Sequence, residues 1–142
     1  RVVGANSRLD EIQAGLLRVR LSHIQELTEE RLRLAENYTK GIHNSRIKLP
    51  KVRPGADSVW HQYVIQCEDR QELIDYLNQR EIGTIIHYPI PPHLSEAYAY
   101  LGYHKGSFPI TEHDADTVLS IPMYNGMTEE EQQEVIDSLN GF

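Results

Sequence analysis

The sequence predicts an α+β fold, a long amino-terminal helix followed by a small three-stranded sheet packed with helices. Three features of its 142 residues carry that expectation. A proline-free run over 9–38 has helical spacing, two runs over 59–67 and 83–88 are rich in aromatic and β-branched residues, and helix-start signatures fall between and after them.

In the first run Leu9, Ile12, Leu16, Val19, Leu27, Leu34 and Tyr38 recur mostly at three- and four-residue steps, which makes one long amphipathic helix or two in line. Ser7 followed by Asp10 fits a capping box at its start. About 30 residues at 1.5 Å each span roughly 45 Å, more than a domain of this size needs for its own core, so part of this helix is expected to pack on something else. After Gly41, Pro50, Pro54 and Gly55 mark a loop over 42–58. The run 59–67 then reads as a strand, Asp69 with Glu72 as the cap of a helix to about 80, and 83–88 as a second strand that Pro89 ends. A helix over 94–101, a loop to 109, a helix opened by Thr111 with Asp114, and a short strand over 120–123 follow. Thr128 with Glu131 caps a last helix whose Val135, Ile136 and Leu139 form its apolar face. Residues 1–41 thus form a helical arm and 42–142 a small α+β domain.

The composition, 39% hydrophobic and 25% charged with 9 Gly and 7 Pro, excludes a collagen-like or disordered chain. A chain this long that folds alone buries roughly 68–70% of its unfolded surface. Twenty-one acidic against 14 basic residues give a net charge of -7, and the basic residues are scattered, which argues against a nucleic-acid partner. No apolar stretch approaches the ~18 residues that span a membrane. A single cysteine, Cys67, cannot form an internal disulfide, which fits a reducing, cytoplasmic setting. The opening Arg1-Val2-Val3-Gly4 is neither a signal nor a transit peptide, and the chain reads as a piece of something longer.

The densest stretch for chemistry is 87–93, where His87 and Tyr88 sit at a strand end and three prolines fix the backbone that follows. The same residues also fit a strand that its prolines merely close. No His-x-x-x-His or Cys-x-x-Cys spacing occurs, so no metal site is expected. His61 and Cys67 lie six apart on one strand, roughly 20 Å from each other, too far for a nucleophile and its base; Cys67 reads as a small buried hydrophobe. Glu129, Glu130 and Glu131 suit the positive end of a helix dipole better than acid catalysis. Before the first helix, Asn6 and Arg8 combine with free helical amides in a way that suits a phosphate, or equally a solvated turn and cap.

Taken together, Gly4-Ala5-Asn6-Ser7-Arg8-Leu9-Asp10-Glu11-Ile12-Gln13-Ala14, Val59-Trp60-His61-Gln62-Tyr63-Val64-Ile65, Ile86-His87-Tyr88-Pro89-Ile90-Pro91-Pro92-His93 and Leu119-Ser120-Ile121-Pro122-Met123 resemble, in this order, the DegT/DnrJ/StrS family of sugar-nucleotide aminotransferases that depend on pyridoxal phosphate. The likeness runs over essentially the whole chain. It implies the small domain of the aspartate-aminotransferase-like fold, with the long helix connecting it to a missing large domain. It implies that Asn6 reaches the cofactor phosphate of a neighbouring subunit with Arg8 supporting that corner, and that His87 and Tyr88 line a sugar-nucleotide pocket. The parent is then a homodimer that moves an amino group from an amino acid such as glutamate to a nucleotide-linked keto-deoxyhexose. The proline-rich block is most like enzymes acting on dTDP-3-keto-6-deoxyhexoses, which belong to lipopolysaccharide, surface-glycan or antibiotic sugar biosynthesis.

The family's Schiff-base lysine and the acid that pairs with the pyridine nitrogen would both precede Arg1. None of Lys40, Lys48, Lys51 or Lys105 stands in the lysine's context. The resemblance therefore places no catalytic residue in this chain and implies that it is inactive alone. Two other readings stay open: a dehydratase of the same family, with histidine for that upstream lysine, and a non-catalytic α+β interaction module.

Overall fold

A computed structural model describes residues 9–142. The helical run is two helices in line, α1 (Glu11–Ser22) and α2 (Ile24–Gly41). They part at His23, where the Ser22 hydroxyl donates back to the Val19 carbonyl and the His23 amide turns to Arg20, three residues back. Such local bonds compete with the helical ladder. Asp10 is itself the cap of α1, its carboxylate accepting from the Gln13 amide at 2.8 Å, rather than the fourth residue of a box opened by Ser7, which lies outside the described residues. No residue of α1 is buried: Ile12, Leu16, Val19 and Leu21 are all more than half exposed. In α2, by contrast, Leu34, Ala35 and Tyr38 enter the core.

The sheet has two antiparallel strands, β1 (Tyr63–Gln66) and β2 (Val118–Ile121), in the register Tyr63 to Ile121 and Gln66 to Val118. The strand expected at 59–67 starts at Tyr63 because Trp60 takes a left-handed conformation (φ 48°) and Arg31 Nη1 donates to the carbonyls of Trp60 and His61 at 3.1 and 3.0 Å, drawing them off the ladder. The expected strand over 83–88 is a single bridge, Ile85 to Ser120, so among the described residues the sheet has two strands and not the expected three. Past Ile85 the His87 ring turns to a side chain of β2, and Pro89 has no amide to donate.

Three further helices follow α2 among the described residues: α3 (Arg70–Asn78), α4 (Pro109–Thr117) and α5 (Glu129–Asn140). Asp69 and Glu72 do not form the expected box; both carboxylates accept from Arg46 Nη2 at 3.0 Å, while its Nη1 donates to the Phe142 carbonyl. Residues 94–101 form 3₁₀ turns, Pro92–Leu94 and Glu96–Leu101. The helix expected from Thr111 begins at Pro109, whose fixed φ suits the first helical position, and β2 begins at Val118 and stops before Pro122. Thr128 and Glu131 form their capping box on α5 as expected. Val135, Ile136 and Leu139 join Leu34, Tyr63, Ile65, Leu73, Leu77 and Leu119 in one core. Within it the Tyr38 hydroxyl donates to the Pro122 carbonyl at 2.6 Å, and burial holds the phenol well above its ordinary pKa.

Leu139 is fully buried, so Leu139→Ala should cost about 2–5 kcal/mol in urea unfolding. Thr128→Ala removes one cap and should cost about 1 kcal/mol by the same measurement, with the slope unchanged.

Candidate functional site

Among the described residues, chemistry-bearing side chains gather where the 87–93 segment crosses α4 and β2. Alternation along β2 sends Leu119 and Ile121 to the core and turns Ser120 toward this segment. Ser120 Oγ lies 2.9 Å from His87 Nδ1, and the Ser120 amide and carbonyl both pair with Ile85, which stands two residues before His87. His87 is half-buried and Tyr88 is 73% exposed, its ring standing edge-on to the imidazole with centroids 5.5 Å apart. Beneath them a cleft of about 170 Å³ runs between Tyr88, Ile90 and Pro92 on one side and Thr111, Asp114 and Val118 on the other. On its other side His87 borders a wider groove with Arg31, His61 and Gln62. His87 thus faces two concavities, and its ring is oriented by a hydroxyl.

At the far end of the segment stands a pair that spacing did not reveal. His93 Nε2 lies 3.0 Å from Glu112 Oε1, both side chains about nine-tenths buried, and the His93 ring meets Phe108 edge-on at 4.9 Å. The Glu112 carboxylate also accepts from the Gly106 amide on both oxygens, at 2.9 and 2.7 Å, and from the Phe108 amide at 3.1 Å. The Gly106 amide first, then His93 and the Phe108 amide, hold Glu112 below the usual carboxylate range against the opposing effect of burial. Nineteen residues separate the partners. The one signal in sequence was a glutamate in the first turn of a helix, a place where loop amides converge.

Of the other expected site residues, Asn6 and Arg8 lie outside the described residues. Cys67 is buried, which pushes its thiol up and away from nucleophilic use. Among the described residues no three His, Cys, Asp or Glu side chains converge to hold a metal ion. All four lysines are exposed, and Lys40 is engaged by Glu36 at 2.6 Å. A pyridoxal cofactor needs a lysine amine enclosed beside its aldehyde and an acid at its ring nitrogen. The described residues supply no such lysine and do not fit that group by themselves. No described helix is long and apolar enough to cross a membrane.

The sequence matches the DegT/DnrJ/EryC1/StrS aminotransferase family over residues 1–140, and the chain belongs to that family. It is 44% identical, over 97% of its length, to the erythromycin biosynthesis sensory transduction protein EryC1 of Saccharopolyspora erythraea, of which it covers 38%. It is 42% identical over 96% of its length to the dTDP-3-amino-3,4,6-trideoxy-alpha-D-glucose transaminase of Streptomyces venezuelae, covering 36% of that protein. The crystal structure of S. venezuelae DesV in complex with a ketimine intermediate superposes with a TM-score of 0.91 at 41% identity, over 97% of this chain and 38% of that one. The chain spans little more than a third of the length of these relatives.

Because Glu112 sits below its ordinary value of 4.5, its stabilising contribution is fully present above that pH and is lost as the pH falls through the depressed value. Thermal melts of the chain and of Glu112→Gln across pH 2.5–7 should show the substitution lowering Tm above about pH 4.5 and flattening the acid limb.

Proposed function

We propose that this chain is the carboxyl-terminal part of an aminotransferase that uses pyridoxal phosphate to move an amino group from glutamate to a nucleotide-linked keto-deoxyhexose, dTDP-linked and aminated at C3. In this reading residues 1–41 connect a large domain to the small domain 42–142, and two copies pair so that Asn6, supported by Arg8, meets the cofactor phosphate of the neighbour. The enzyme works in the cytoplasm, and this chain alone is inactive. Its place is lipopolysaccharide, surface-glycan or antibiotic sugar biosynthesis.

The observation that carries the reading is His87, oriented by Ser120 at the mouth of a cleft with exposed Tyr88 beside it, in a chain that matches an aminotransferase family over residues 1–140. A hydroxyl-rich sugar diphosphate offers both donors and acceptors. An imidazole fixed through one nitrogen keeps the other for such a group, and an exposed phenol adds a donor and a flat apolar face. The transaminase names of relatives at 42% and 38% identity support the dTDP-linked sugar. When bound, pyridoxal phosphate supplies the electron sink that makes the amino group's carbon acidic. This chain's described residues hold and orient the sugar.

His87→Phe and Tyr88→Phe in the full-length enzyme should each lower kcat/KM for the keto sugar by about three- to thirtyfold, as loss of one or two hydrogen bonds does. The half-reaction with glutamate should be unaltered, and an unchanged kcat/KM for the sugar in both variants would overturn the reading.

A further inference from the structure

The 87–93 segment is fastened at both ends by an imidazole, and both fastenings land on the continuous α4–β2 unit. His87 is tied to Ser120 of β2, and His93 to Glu112 in the first turns of α4. Between the two ties the chain has little freedom of its own. Pro89, Pro91 and Pro92 fix φ at three of five positions. Pro91 is buried, and the carbonyls of Pro91 and Pro92 accept from the Leu94 and Ser95 amides. The exposed Tyr88 and Ile90 are therefore carried on a stiff strap, and the cleft beneath it has the strap as one wall and α4 as the other.

A stiff strap with two anchor points behaves as a beam: its height above α4 at Tyr88 follows the length of each tie. The His93 tie is about nine-tenths buried on both sides. Its carboxylate is itself held by the Gly106 and Phe108 amides, so it has no alternative position to relax into. We propose that His93 and Glu112 are a positioning pair for the sugar-binding strap, setting the width of the cleft that His87 and Tyr88 present to the nucleotide sugar. The pair touches no substrate; it acts through the strap. The inference rests on the reading of His87 and Tyr88 as sugar contacts given above.

The test uses the full-length enzyme with dTDP-glucose as the probe, titrated by calorimetry. Exchange at the Tyr88 and Ile90 amides and the rate of the glutamate half-reaction are followed alongside. His93→Phe, which keeps the ring contact with Phe108 and deletes the tie, should weaken dTDP-glucose about tenfold and speed exchange at both amides, with the glutamate half-reaction unchanged. His93→Gln still donates to Glu112 and should restore most of the affinity. Where His93→Phe does not fold, Glu112→Gln takes its place with the same expectations, since it keeps an oxygen for the loop amides while weakening the tie. Unchanged dTDP-glucose affinity overturns the positioning role, and so does an equal loss in sugar binding and in the glutamate half-reaction. Failure of the unaltered enzyme to bind dTDP-glucose is a different result: it overturns the nucleotide-sugar reading itself and the positioning role with it.

Discussion

The register of β2 is the constraint on which the rest of the molecule depends. Four residues long, it places Leu119 and Ile121 in the core and Ser120 on the opposite side, and it is bonded along one edge to β1 and at one point of the other edge to Ile85. A slip of one residue would set Ser120 among the core leucines and turn Leu119 toward the strap, exchanging every side chain between the two faces. His87 would then lose its oriented imidazole. The slip is prevented by apolar burial on a strand too short to hold its register by backbone bonds alone, and the Tyr38 hydroxyl secures the strand's end by bonding the Pro122 carbonyl.

Around that strand polar groups do the fastening. Arg31 bonds Asn125 and the Trp60 and His61 carbonyls, so α2, the entry to β1 and the turn after β2 are held by one guanidinium. Arg46 joins α3 to the last residue of the chain in the same manner. The His93 and Glu112 pair belongs to this class but is far more enclosed. Removing one member of an enclosed pair strands the other's polar atoms, whereas an exposed pair such as Lys40 with Glu36 contributes little. A single substitution in this enclosed pair therefore disturbs the 87–93 segment more than one in an exposed pair.

The two helices in line differ in kind. α2 gives up Leu34, Ala35 and Tyr38 to the core, while α1 carries a comparable set of leucines, isoleucine and valine with none buried. The apolar side chains of α1 are left open to solvent among the described residues.

Sequence by itself determined the elements whose causes are local. The capping box at Thr128 and Glu131 and the apolar face of α5 were legible there, as was the burial of Cys67, because each rests on residues within a turn or two of one another. The blocks that resemble an aminotransferase family were legible too, and the family match over 1–140 agrees with them. Tertiary structure decided what depends on partners far along the chain. Arg31 shortened β1 and Arg46 drew Asp69 and Glu72 out of a capping role. Ser120 took the His87 ring and left Ile85 a lone bridge where a third strand was expected, and Glu112 closed on His93 across nineteen residues. Spacing in a sequence encodes the period of a helix or a strand, and it carries no information about which buried acceptor a distant donor will find.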